Sequence, residues 1–313
     1  MIQIILLALV PIFFVLILGY SAGKARVVDN TRIGDLNAVV MSYALPASLL
    51  AATATTPRAA MLAQWPVAVV LGATMMLMHP LWYLYQRRVR GASGGDAAVQ
   101  ALSVALPNYA AAGLPVVAAL LGPTEIVPAA VAIATGALLP SPLTLALLEM
   151  DADKQAKGSV LQRFLHALAH AVRRPIVVAP FFGTLLSLLE WPLPPIGVAA
   201  LRLIGQTTGG LALFVTGLIL SSKRFRLSWN VALGAFASNI FQPLLALAIV
   251  KLFELPWQTS KIAVLMAALP SGFFGILFGA SRGVISEQAN STVIASTVCA
   301  MLTLALAIAW LYG

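Results

Sequence analysis

Two stretches, ALSVALPNYAAAGLPVVAALLG at 101–122 and AVLMAALPSGFFGILFGASRG at 263–283, decide how the rest of the chain is read. Each is apolar over the length of a membrane span, about 20 residues. Each also carries a proline near its middle. Proline removes a backbone donor and its ring clashes with the preceding turn. It pushes the residue before it, Leu106 or Leu269, away from helical angles. A polar residue follows at once, Asn108 after Pro107 and Ser271 after Pro270. Asn and Ser are favoured N-caps, so the expectation is a helix that stops and a half-helix that restarts there. Gly113 and Gly272 permit close approach of a neighbouring backbone or a ligand.

In hydrocarbon, backbone groups freed by such breaks are tolerated only where protein or a wet cavity satisfies them. Two breaks at equivalent positions of a repeated chain point to a binding site at the bilayer midplane. A half-helix N-terminus offers unpaired N–H groups and partial positive charge, which suits an anion. A carboxylate is then held without a buried Arg or Lys. The candidate substrate residues are Pro107, Asn108, Tyr109 and Gly113 in the first segment, with Pro270, Ser271 and Gly272 in the second. The competing reading is a pair of structural kinks.

The surrounding sequence places these segments in a membrane bundle. Of 313 residues, 60% are hydrophobic and only 9% charged, with a net charge of +9. Soluble domains carry roughly 25% charged residues. Ten candidate spans follow: 2–22, 36–54, 63–85, 97–121, 126–149, 175–190, 197–221, 229–250, 258–281 and 288–311. The first lacks the basic start of a signal peptide and is read as a span. Residues 150–174 form the longest polar segment. There Leu161, Phe164, Leu165 and Leu168 at helical spacing predict an amphipathic surface helix. The organisation is 1–150 as a first five-span repeat, 151–174 as a cytoplasmic connection and 175–313 as a second, inverted repeat.

Loops after the odd-numbered spans hold fifteen Lys and Arg residues, among them Arg32, Arg174, Lys223 and Arg282. The opposite loops hold four: Arg58, Arg202, Lys251 and Lys261. Positive charge marks the cytoplasmic side, which puts both termini outside an inner (plasma) membrane. Such placement reads as topology, with no nucleic-acid partner. A faint internal echo supports inversion. Pro11, Trp65, Pro107 and Glu125 recur as Pro180, Trp229, Pro270 and Glu287, at offsets of 169, 164, 163 and 162. Five-span halves related by inversion imply alternating access.

LPNYAAAGLP at 106–115 resembles the LPN-x4-G-x-P motif of the auxin efflux carrier family. ALPSGFFGILFG at 268–279 is similar to that family's ninth-span stretch, and Asn37 through Pro46 to Leu50 to its second span. The similarity covers nearly the whole chain. It implies a crossover of spans four and nine with substrate carboxylate beside it. Pro107 and Asn108 take the crossover positions of span four, and Pro270 that of span nine. Plant carriers place a serine directly after the second-span proline, whereas here Ser48 stands one place further on. The long cytoplasmic loop of many plant carriers is absent, so the resemblance is to bacterial malonate-type permeases and does not imply auxin.

Other polar residues leave alternatives open. Ser238, Asn239 and Gln242 share the middle of span eight; Asn239 and Gln242, three apart, share a face. They either line the substrate path or bond across helices. His79 is a proton relay or a structural histidine. Glu125 and Glu287 suit helix N-termini, and Thr208 is a candidate for a cavity wall. Cys299, the only cysteine, is read as packing. The fold class is all-α integral membrane: ten helices in two inverted repeats, with broken helices four and nine crossing. The function is a secondary or facilitative carrier of small organic anions, malonate-like carboxylates first. The alternative is a sodium-coupled symporter of the bile-acid type. An intramembrane enzyme is disfavoured because His79, His166, His170 and the acidic residues form no catalytic constellation. A ligand sensor is disfavoured for want of an appended domain. No cofactor is implied, and the coupling ion, H+ or Na+, is open. A homodimer is compatible with the sequence.

Overall fold

A computed structural model describes residues 2–30, 33–122, 127–152, 159–221 and 226–312, without side chains for 2–9, 114 and 115. Arg32, Glu125, Lys154, Lys157, Lys223 and Arg224 lie outside these residues. The chain opens with α1 (Ile2–Lys24), then α2 (Gly34–Val39) and α3 (Leu45–Ala54), joined by a π-helical turn at Val40–Ala44. A short α4 (Arg58–Ala63) leads to the long α5 (Trp65–Arg88). Next come α6 (Gly94–Ala105), a π turn at Tyr109–Gly113, and α7 (Leu114–Leu121). α8 (Val127–Leu138) and α9 (Pro140–Ala152) close this half.

The second half begins with α10 (Val160–Ala171), held at its start by a capping box between Ser159 and Gln162. This helix occupies the segment expected to be amphipathic: Leu161 and Leu165 are exposed, while Ala167 and Ala171 are buried. It meets α11 (Pro175–Leu188) at a bend of 64°. α12 (Pro195–Gly205) and α13 (Thr207–Ser221) follow. α14 (Trp229–Phe236) and α15 (Gln242–Leu252) are joined by a third π turn, Ala237–Phe241. The chain ends with α16 (Trp257–Ala267), α17 (Phe274–Ala280) and α18 (Glu287–Tyr312).

Among the described residues, six helical stretches are long and apolar enough to cross a membrane: Gly34–Ala54, Trp65–Arg88, Val127–Ala152, Pro195–Ser221, Trp229–Leu252 and Glu287–Tyr312. The α10–α11 pair makes a seventh if taken as one bent span. Fewer than ten qualify partly because the two proline segments are split. At about 1.5 Å per residue, a half such as α6 or α16 covers under 20 Å, short of a bilayer core near 30 Å. The outer surface is apolar as a lipid-facing one must be. Phe14, Leu81, Phe182, Leu302 and Trp310 are each more than half exposed. Exposed apolar surface on this scale marks a membrane protein. Cys299 belongs to this outer face and is exposed, so the packing role expected of it is corrected.

Proline acts here in three ways. Pro11, Pro80 and Pro180 sit inside continuous helices. Pro46, Pro115 and Pro243 each stand two residues after a π turn. A widened turn makes room for the carbonyl four residues before the ring. At Pro107 and Pro270 the helix stops in the middle of an apolar run.

Close helix crossings rest on glycine. A side chain at Gly217 would strike the main-chain oxygen of Leu16, and one at Gly19 that of Phe214, which fixes α1 against α13. Gly275 does the same for α17, bringing it onto the main chain of α6 at Val99 and Ser103, while a Cβ at Gly279 would strike the Val284 carbonyl oxygen and the Val99 side chain.

Candidate functional site

α6 ends because Pro107 forces Leu106 into an extended conformation, φ −106 and ψ 102. The last carbonyls of a helix have no intrahelical donor, and these are buried in a span. The second proline segment supplies part of the answer. Pro107 and Ser271 form an isolated antiparallel bridge. Asn108 N donates to Pro270 O and Gly272 N donates to Leu106 O, both at 2.9 Å. Gly272 is required for this approach, since a Cβ there would run into the Leu106 carbonyl oxygen. Two helices that stop therefore satisfy each other through main chain.

The α14–α15 stretch supplies donors to two more of these carbonyls. Ser238 Oγ donates to Val104 O at 3.0 Å, and Gln242 Nε2 donates to Ala105 O at 2.8 Å. Ser238 Oγ also lies 2.7 Å from Ser271 Oγ. With the Ser238 proton committed to Val104, the Ser271 hydroxyl is the donor in that pair. Ser271 N donates to Ser296 Oγ at 2.8 Å, and Ser296 in turn bonds Asn239, whose Nδ2 returns to Ser296 O at 2.7 Å. Ser238, Asn239 and Gln242 thus bond across helices, one of the two uses left open for them. Ser296, on α18, was not singled out from sequence. A serine in an apolar span gives no sign of which backbone group it will meet.

Asn108 caps the restarting helix as expected: its Oδ1 accepts from Ala111 N at 3.1 Å. Ser271 does not cap. α17 begins later, at Phe274 behind Phe273, with no side-chain cap. The Ser271 hydroxyl and amide are both spent on other helices, so the expected restart at that residue is corrected. Tyr109 is buried with its hydroxyl 3.7 Å from Met75 Sδ. A Cβ at Gly113 would meet Met266 Cε and Leu269 Cδ1, so α7 begins against α16. Pro107, Asn108, Tyr109, Gly113, Pro270, Ser271 and Gly272 are all buried together in this one region.

Two other sequence candidates lie apart. His79 is fully buried, with Nε2 2.7 Å from Thr144 Oγ1. Thr144 spends its proton on Pro140 O, so His79 Nε2–H is the donor and Nδ1 has no partner. A relay needs a second partner, and among the described residues none adjoins Nδ1; the structural use fits better. Thr208 is buried on α13 with Oγ1 unpartnered. Glu287 stands in the first turn of α18, where a carboxylate favours the helix end. Among the described residues no group of His, Cys, Asp and Glu side chains is placed to hold a metal.

A helical membrane protein in which two interrupted apolar segments dock through main chain at one buried point has the build of a membrane transporter. Known proteins place it there. The family described as membrane transport protein matches residues 4–308, and the chain belongs to it; this is the auxin efflux carrier family that the motifs resemble. Transporter YfdV of Escherichia coli (strain K12), itself uncharacterized, is 26% identical over 312 residues, covering 97% of this chain and 96% of YfdV. YfdV of Shigella flexneri matches equally well. A candidate malonate transporter of Rhizobium meliloti (strain 1021) is 26% identical over 307 residues, covering 94% and 91% of the two chains. These are names of transporters, not of enzymes.

Proposed function

We propose that this chain carries small organic anions, malonate-like carboxylates first, across the cytoplasmic membrane by alternating access. In this reading ten spans form two inverted five-span repeats, 1–150 and 175–313, with both termini outside. The substrate meets the protein where the segments broken at Pro107 and Pro270 cross. The observation that carries the reading is the main-chain bridge between Pro107 and Ser271. It brings the start of the half-helix at Tyr109 to the crossing, where Tyr109 N donates to Pro107 O and Ala111 N to Asn108 Oδ1. The positive end of that helix's dipole suits a carboxylate. Two cavities, of about 360 and 310 Å³, indent opposite ends of the Gly34–Ala54 helix, away from the crossover residues. The Rhizobium relative adds malonate to the substrates worth testing first.

The test is a thermal-shift screen of mono- and dicarboxylates against the wild type and Asn108→Ala. Losing the Ala111 cap lowers the unfolding midpoint of the unliganded variant, at a cost of about 1 kcal/mol. The deciding quantity is the further shift on adding ligand. Malonate raises the midpoint of the wild type and leaves the variant nearly unmoved. Equal ligand-dependent shifts in both would remove Asn108 from the site. Uptake into vesicles that is unchanged when potassium replaces sodium excludes the bile-acid-type symporter.

A further inference from the structure

The loop charges read from sequence as topology signals converge in space on one carboxylate. Glu149, near the end of α9, has Oε1 2.8 Å from His170 Nδ1 and Oε2 3.2 Å from Arg282 Nη2, with Arg174 Nη2 at 3.9 Å. One negative charge faces two permanent positive ones. Arg174 and Arg282 also line the cavity of about 310 Å³, together with Gly34, Asn37, Pro175 and Ser281. Gly34 begins the Gly34–Ala54 helix and Pro175 begins α11, so two helix N-termini abut the same space. The α11 dipole adds to the positive charge, while Asp35 in the first turn offsets the one at Gly34. Asn37 is 1% exposed; its Nδ2 donates to Leu277 O at 2.9 Å, and its Oδ1 is buried without a partner. Asn37 borders the cavity, but that oxygen is closed off from it. The ends of α17 lie at the crossover and at this cavity, about 10 Å apart for seven residues.

We infer that this cavity is a second binding site, for a small carboxylate. The carboxylate takes Arg282 and Arg174 in competition with Glu149. This rests on the anion-carrier reading and places the ligand one short helix from the crossover.

The experiment is calorimetric titration of the purified full chain in lipid nanodiscs, at fixed ionic strength, with malonate. Arg282→Gln weakens malonate binding about tenfold, the value of a charge-assisted pair. Arg282→Lys, which keeps the charge but not the planar fork, weakens it less. Glu149→Gln removes the competitor and tightens binding severalfold. A purely structural latch predicts the opposite, because loss of Glu149 would loosen both arginines. Unchanged affinity in Arg282→Gln, or weaker affinity in Glu149→Gln, overturns the site. If Arg282→Gln does not fold, Glu149→Gln and Arg282→Lys decide alone. Wild-type protein that neither binds nor transports malonate sinks the anion-carrier reading with it. Wild-type binding that Asn108→Ala weakens and Arg282→Gln does not sinks this inference only.

Discussion

Gly272→Val abolishes malonate uptake into vesicles and lowers the unfolding midpoint more than any other single substitution at the crossover. The reason is what the added carbon meets. At Gly272 it strikes the Leu106 carbonyl oxygen, a main-chain atom that is itself bonded to Gly272 N. Nothing flexible can yield, so the segments must part. Parting them breaks the Gly272–Leu106 and Asn108–Pro270 bonds and buries unsatisfied backbone groups. Each such group costs about 1–3 kcal/mol. The total is then on the order of 3 kcal/mol or more. Gly113→Ala is the control within the same region. Its Cβ would press on Met266 Cε at 2.9 Å and Leu269 Cδ1 at 3.0 Å, the ends of flexible side chains. Methionine in particular adapts to such crowding. A Gly272→Val protein that transports at the wild-type rate would show that this contact is not needed.

The sequence makes one half of this arrangement legible. Pro107 and Pro270 announce which hydrogen bonds will be missing, because the loss is a property of the ring itself. The Asn108 cap follows for the same local reason. The other half concerns which groups replace the missing bonds, and that depends on residues far away in the chain. Ser238, Gln242 and Ser296 come from other helices, so spacing around Pro107 carries no trace of them. Ser271 shows the difference well. Its position after proline predicts a cap, yet its hydroxyl is drawn to Ser238 and its amide to Ser296. Competing partners outweighed the local preference.

Proline is equally ambiguous taken alone. Pro80 lies within an unbroken α5, while Pro46 is absorbed by the π turn before it. What separates them from Pro107 is a second interrupted chain close enough to bond. Arg174 and Arg282 carry a similar lesson. As loop charges they report orientation, and only the fold brings them onto one glutamate and one cavity. The transporter class is readable from the paired breaks and the length of the apolar runs, whereas the pairing of the arginines exists only in the fold.

The second large effect belongs to Ser238. Ser238→Ala strands two partners at once: Val104 O loses its donor, and the Ser271 hydroxyl loses its acceptor. Both residues on the receiving side are buried, so water cannot replace what is removed. At about 1–3 kcal/mol for each of the two stranded groups, Ser238→Ala costs about 2–6 kcal/mol. Gln242→Leu offers an instructive contrast. It removes the donor to Ala105 O, but it also removes Gln242 Oε1, which is buried with no partner in the wild type. One orphan is created and another is deleted, so the net change is smaller, about 1 kcal/mol. Ser238 is the smaller side chain, and an argument from lost volume would rank the two in reverse order. Unfolding midpoints of both variants, measured in the same lipid, decide between polar satisfaction and packing as the force that closes this crossing. A Gln242→Leu protein less stable than Ser238→Ala would show that packing governs it.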